Sequence, residues 1–162
     1  MYGVWSAILN AQFTGSSGYI TQPQDRHSSQ PGRAGFSDLH TFQYRDDYSP
    51  AAKFLITQCK RPGLEGRNVT WAEGVNQLIR YLSATHGTRP QGQRTPVYGI
   101  VAIGYYMRVY KYDDVHQDVD DWAPPGLVPG LARSINYRTR YTSERTHKQE
   151  IQQILDYILA HH

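Results

Sequence analysis

Gln58 and Lys60 close a stretch from Lys53 to Lys60 built on the uninterrupted apolar run Phe54-Leu55-Ile56, and Pro62-Gly63 marks its end. As a strand this stretch alternates its side chains, so Gln58 and Lys60 share one face and Cys59 takes the other. Two polar side chains at the end of an apolar strand need water, a partner or a chemical role. Leu39, Thr41, Phe42 and Tyr44 form a second strand candidate, followed by a turn at Asp46-Asp47-Tyr48-Ser49-Pro50. Strands so closely joined pair antiparallel, which lays the start of the first beside the end of the second. Asp38 then falls near Gln58 and Lys60, while Asp46 and Asp47 lie at the far end of the hairpin. A carboxylate, an amide and an ammonium gathered at one strand end are residue types suited to electrostatic and acid–base chemistry.

Positioning such a group requires further elements. Val4, Trp5, Ile8, Leu9 and Phe13 recur at helical spacing, predicting a short amphipathic helix over about 2–13. Residues 14–33 are mostly Gly, Ser, Gln and other polar types and read as a loop. After the hairpin, Thr70 is a candidate helix cap, with Glu73 as its capping partner, for a helix over about 71–84. Its apolar stripe is Trp71, Val75, Leu78, Ile79 and Leu82, and Gln77 and Tyr81, one turn apart, share another face. Residues 85–95 read as a loop, and Val97–Gly104 and Tyr106–Asp113 as two strands around a turn at Gly104-Tyr105. Residues 114–131 are acidic and Pro-rich, again a loop. The segment 131–142 mixes Arg with Tyr. A final helix covers about 143–160, with Ser143 as cap and Ile151, Ile154, Leu155, Ile158 and Leu159 as its stripe. The expected order is helix, two strands, helix, two strands, helix in one domain spanning 1–162, an α/β (α+β) chain.

The composition bounds the partner. The chain has 162 residues, 39% hydrophobic and 19% charged, enough for one domain with a real core. A formal charge of +3 fits a nucleic-acid partner but also many unrelated proteins. One cysteine excludes an internal disulfide and a cysteine-based zinc site. The sequence shows no signal peptide and no apolar run of transmembrane length, which points to an intracellular protein without a membrane partner. The seven His are scattered without zinc spacing, and no phosphate-binding loop or dinucleotide fingerprint is present. The acidic run from Asp113 to Asp121 lacks the Gly and terminal Glu of an EF-hand loop, so it reads as a solvated loop.

Asp38, then Gln58-x-Lys60 closing the next strand, then a Gln77-x-x-x-Tyr81 helix, resembles the PD-(D/E)XK nuclease superfamily. The phrase LITQCKRPG is similar to the strand of restriction-type members with Gln in place of the acidic residue. Gln77-Leu78-Ile79-Arg80-Tyr81 resembles the helix motif of RecB-type nucleases and type I restriction subunits. VYGIVAIGYYMRVY is similar to the hairpin that follows it in the type I subunits. The resemblance spans Gly35 to Asp113, about half the chain, and rests on the order and spacing of short motifs. It implies a restriction endonuclease-like core, a mixed sheet of about four strands flanked by helices. It also implies hydrolysis of phosphodiester bonds, with DNA favoured over RNA, using Mg²⁺ (or Mn²⁺). Asp38 would be the anionic metal ligand, with Gln58 and the backbone carbonyl of Cys59 adding neutral oxygens. Lys60 would orient or help deprotonate the attacking water. Gln77, Tyr81 and Glu73 would support the site or position substrate, and many members pair as homodimers to cut both strands.

The chain departs from the family pattern at two points. Gln58 removes one negative charge, and the first helix carries no acidic residue, so a single metal ion is implied rather than two. The alternative function is a catalytically inactive module of the same fold that binds nucleic acid or a protein. Each residue also has a plain structural reading. Asp38 could cap a turn, Gln58 and Lys60 could be a solvated strand end, Gln77 and Tyr81 could be structural, and Cys59 could be a packed small hydrophobe. Arg61, Arg80, Arg133, Arg138 and Arg140 are candidates for gripping phosphates, with Tyr137 and Tyr141 able to stack bases. An ordinary surface segment explains 133–141 equally well.

Overall fold

The computed structural model describes residues 2–23, 38–44, 52–86, 95–135 and 142–162. In chain order the elements are helix α1 (Tyr2–Gln12), a 3-10 turn (Gly15–Ser17), strand β1 (Tyr19–Pro23), β2 (Asp38–Gln43), β3 (Ala52–Lys60), helix α2 (Asn68–His86), β4 (Tyr98–Ile103), β5 (Tyr106–Asp113), β6 (Asp118–Asp121), β7 (Arg133–Ser134) and helix α3 (Thr142–His161). The strands form one mixed sheet of seven in the order β1-β2-β3-β4-β5-β6, with β7 also paired to β5. Every pairing is antiparallel except β3 with β4. A parallel pair cannot be closed by a tight turn, and α2 is the crossover that joins these two strands.

Helices cover both faces of the sheet. Trp5 and Leu9 of α1 and Ile151, Ile154, Leu155 and Ile158 of α3 pack on one face, against Leu39, Leu55, Cys59, Ile100 and Met107. Trp71, Leu78 and Leu82 of α2 pack on the other, against Ile56, Val101, Ile103, Tyr110 and Tyr112. All six residues of β4 are buried, the continuous apolar run expected of a strand covered on both sides. A register shift in the β2–β3 pairing, between Thr41 and Phe42, leaves Phe54 without a facing residue. That bulge lets Phe54 and Leu55 both join the α1/α3 core before strict alternation resumes.

The architecture is α+β with a mixed sheet, and the four-strand expectation is corrected to seven. Part of 14–33 is the 3-10 turn and β1, and 114–131 contains β6. These strands escape sequence patterning because they are short and their support comes from a neighbour. β1 has five residues paired along β2, and β6 is the acidic Asp118-Val119-Asp120-Asp121. Charged, short edge strands discourage edge-to-edge association while carrying little hydrophobic signal. The helix bounds also shift. α2 begins at Asn68, so Thr70 lies inside its first turn, with its N–H bonded to Arg67 O at 3.0 Å, and is not the cap. Likewise α3 begins at Thr142, which puts Ser143 inside the helix.

Candidate functional site

From Leu55 onward β3 alternates strictly, sending Leu55 and Cys59 into the α1/α3 core and Ile56 into the α2 core. Gln58 and Lys60 therefore lie on the α2 face, and Cys59 is a packed core residue. The hairpin register pairs Asp38 with Gln58 and His40 with Ile56. Continuing across the sheet, Gln58 pairs with Val101 and Val101 with Arg108. One row of register positions thus runs Asp38, Gln58, Val101, Arg108 from β2 to β5.

Two glycines set how α2 lies on this face. A Cβ on Gly74 would fall 2.5 Å from Cγ1 of Val101, and one on Gly99 would fall 2.8 Å from Cδ1 of Leu78. Helix and sheet therefore approach closely at these positions. The approach brings Gln77 to the end of β3, where its Oε1 accepts a hydrogen bond from Nζ of Lys60. One turn further along, the ring of Tyr81 stands edge-on to His40 with centroids 6.3 Å apart.

Gln58 is 1% exposed, and its Nε2 has no hydrogen-bond partner among the described residues. A buried amide nitrogen that stays unmatched costs about 1–3 kcal/mol. His40, 5% exposed, belongs to the same corner and is not among the residues singled out from the sequence. The available signal was alternation on β2, since His40 stands two residues after Asp38 and so on the same face.

The remaining candidates separate. Glu73 and Arg80 are exposed on α2, where Nε of Arg80 bonds Asn76 O at 3.3 Å, and Arg61 is exposed in the loop after β3. Arg133 is corrected from a phosphate-gripping surface residue to a buried one. It is 1% exposed, with Nε 2.6 Å from Oε2 of Glu150 and further bonds to the carbonyls of Leu131 and Val128. A guanidinium with every side committed to protein oxygens is a structural brace. Arg138, Arg140, Tyr137 and Tyr141 lie outside the described residues.

On β5, Arg108 lies over the ring of Trp71 at 4.4 Å, and its Nε is buried without a partner among the described residues. Burial pushes the neighbouring Tyr110 phenol up to about 12, with Asp121 adding to the rise and Arg108, hydrogen-bonded to it, opposing it. Tyr110 is therefore a neutral hydroxyl at ordinary pH.

Among the described residues, no group of three or more His, Cys, Asp or Glu is placed to hold a metal ion. By register the β2–β3 corner instead brings one acidic residue, Asp38, opposite Gln58. That set suits a hard cation that keeps most of its waters and does not suit zinc. The unmatched atom of Gln58 is its amide nitrogen, a donor, which would take an acceptor and not a cation. In the acidic segment, Asp113 pairs with His116 at 2.5 Å across a turn, and β6 takes up Asp118–Asp121.

No helix among the described residues is long and apolar enough to cross a membrane. Comparison with protein-family models, with curated proteins and with solved structures finds no match for this chain.

Proposed function

We propose that this chain is a metal-dependent nuclease that hydrolyses phosphodiester bonds, with DNA as its substrate and Asp38, Gln58 and Lys60 at its centre. The observation that carries the reading is the β2–β3 register. Asp38 stands opposite Gln58, and Lys60 follows two residues later on the same face, hydrogen-bonded to Gln77. Asp38 would supply the negative charge that holds Mg²⁺, with the Gln58 amide oxygen and the Cys59 carbonyl as neutral ligands. A bound Mg²⁺ would polarise the phosphate and lower the pKa of a coordinated water. Lys60 would orient that water for in-line attack and offset charge developing on the phosphate. Gln77, by accepting from Nζ, fixes the direction of the ammonium.

The order of elements from α1 through β2, β3, α2, β4 and β5 supports this reading, because it contains the expected helix, hairpin, helix, hairpin sequence. A second reading, an inactive module that binds nucleic acid, is favoured by one observation. The amide at Gln58 takes the place of a second acid, and no cluster of acidic ligands is present among the described residues.

The two readings part on incubation of supercoiled plasmid and single-stranded DNA with Mg²⁺ or Mn²⁺, with a chelator control. Metal-dependent cleavage lost in both Asp38→Ala and Lys60→Ala establishes the nuclease. Salt-sensitive binding without cleavage establishes the module.

A further inference from the structure

We infer that both edges of the sheet are closed to strand addition by a second copy of this chain, through Thr14 and Pro23 at β1, Asp118 at β6 and His147 at β7. In an antiparallel ladder, pairs that exchange both backbone hydrogen bonds alternate with pairs whose N–H and C=O groups point away from each other. The outward groups of an edge strand are what a further strand would bind. Among the described residues β1 forms one edge, and β6 and β7 form the other, both along β5.

Tyr44 N donates to Gly18 O at 2.8 Å, which makes Gly18 and Tyr44 an exchanging pair, and Ile20 with Phe42 and Gln22 with His40 follow at every second position. Tyr19, Thr21 and Pro23 therefore turn their backbone groups to the open edge. The hydroxyls of Thr21 and Thr41 meet at 3.0 Å, as the closer side chains of a non-exchanging pair allow. Tyr19 N–H donates to Thr14 O at 3.2 Å, across the 3-10 turn, and Pro23 has no N–H to offer. Among the described residues of β1, Thr21 alone keeps an outward donor, on a strand that carries no charged side chain.

The other edge is shut by different means. Trp122 N donates to Val109 O at 3.0 Å, which sets the parity of β6 and turns Val119 and Asp121 outward. Val119 N–H donates to Oδ1 of Asp118 at 2.7 Å, and three aspartates charge this strand of four. Gly130 lies against Asp121, where an ideal Cβ would stand 2.8 Å from Oδ2. In β7, Ile135 N donates to Tyr105 O at 2.9 Å, so Ser134 faces outward, and its N–H goes to Nδ1 of His147 at 3.5 Å.

Two copies meeting antiparallel at β1 about Thr21 would gain only the bonds of Thr21 with its twin, because Tyr19 would face the other copy's Pro23. So short a ladder falls far below the cost of bringing two chains together. On the nuclease reading, a second copy cutting the other strand of a duplex would meet this one away from the sheet edges.

Sedimentation velocity over a wide range of protein concentration, with amide hydrogen exchange followed by NMR, tests the guards. Pro23→Ala supplies the missing N–H on each copy and should strengthen self-association about tenfold or more. Adding Thr21→Pro, which removes the remaining outward donor without touching the bonds to β2, should abolish that gain. In dilute wild-type protein the Thr21 amide should exchange about tenfold or more faster than those of Ile20 and Gln22, a measurement that needs no variant to fold. Asp118→Ala should speed exchange at Val119. Wild-type association that Thr21→Pro abolishes would mean that β1 already accepts a second copy, and would overturn the inference. So would a Thr21 amide as slow as its neighbours in dilute solution, or self-association left unchanged in a folded Pro23→Ala.

Discussion

The ammonium of Lys60, at the last position of β3, donates a hydrogen bond to the side-chain oxygen of Gln77 on α2. This contact joins the strand that carries Gln58 to the helix that covers it. A flexible lysine at a strand end would ordinarily sample many rotamers, and the amide acceptor narrows that choice.

On the nuclease reading, Lys60→Met should lower metal-dependent cleavage by about 10²–10⁴-fold, the range of a lost acid–base or electrostatic group. Gln77→Leu should cost roughly tenfold, because a hydrogen bond to a charged group is worth about 1.5 kcal/mol. Initial rates on a labelled oligonucleotide measure both. Equal losses in the two variants would mean that Gln77 touches substrate itself.

Gln58→Glu places an ionisable group where the native amide is 1% exposed. Burial raises a carboxyl pKa, so the variant should lose stability relative to wild type as pH rises from about 5 to about 8. Mg²⁺ should restore the melting temperature of the variant more than that of wild type, since binding to the folded state alone stabilises it. Thermal melts with chelator and with Mg²⁺ provide the comparison, and an equal response in both proteins would remove Gln58 from the proposed metal site.

Gly74→Ala forces a methyl group against Val101, with an ideal Cβ 2.5 Å from Cγ1 and 3.1 Å from Cγ2. The clash should outweigh the gain of about 1 kcal/mol in helix propensity and leave a net loss of about 1–2 kcal/mol. Urea denaturation should show the same substitution to be neutral or stabilising in a Val101→Ala background. A loss that persists there would place the cause elsewhere than in helix–sheet contact.

Asp113 and His116 form an exposed pair in which the carboxylate hydrogen bond and charge hold the imidazolium above its ordinary 6.5. The hydrogen bond from His116, followed by that from the Val115 N–H, holds Asp113 below its ordinary 3.8. The His116 contribution is complete below the unfolded value and is lost as pH rises through the raised one. The Asp113 contribution is lost as pH falls through its lowered value. An NMR titration of the His116 ring should show a midpoint that falls toward 6.5 in Asp113→Asn. An unmoved midpoint would show that the pair is not formed in solution.

Relations between near neighbours along the chain were legible before any folding. Alternation after Leu55 separates Gln58 and Lys60 from Cys59, and the stripe of Trp71, Leu78 and Leu82 fixes which side of α2 meets the sheet. The turn at Gly104, where φ is 57°, could be read from the residues on either side.

Relations between segments far apart in the chain took their final form only in packing. The hairpin already brought Asp38 near Gln58 from the sequence, but their direct pairing is a matter of register, and a slip of one residue would turn every side chain of β2 to the opposite face. The parallel contact of β3 with β4, the burial of Arg133 against Glu150 and the arrival of His40 beside Tyr81 are likewise products of packing. Local periodicity tells which way a side chain points, but burial and register are settled only when distant segments compete for the same core.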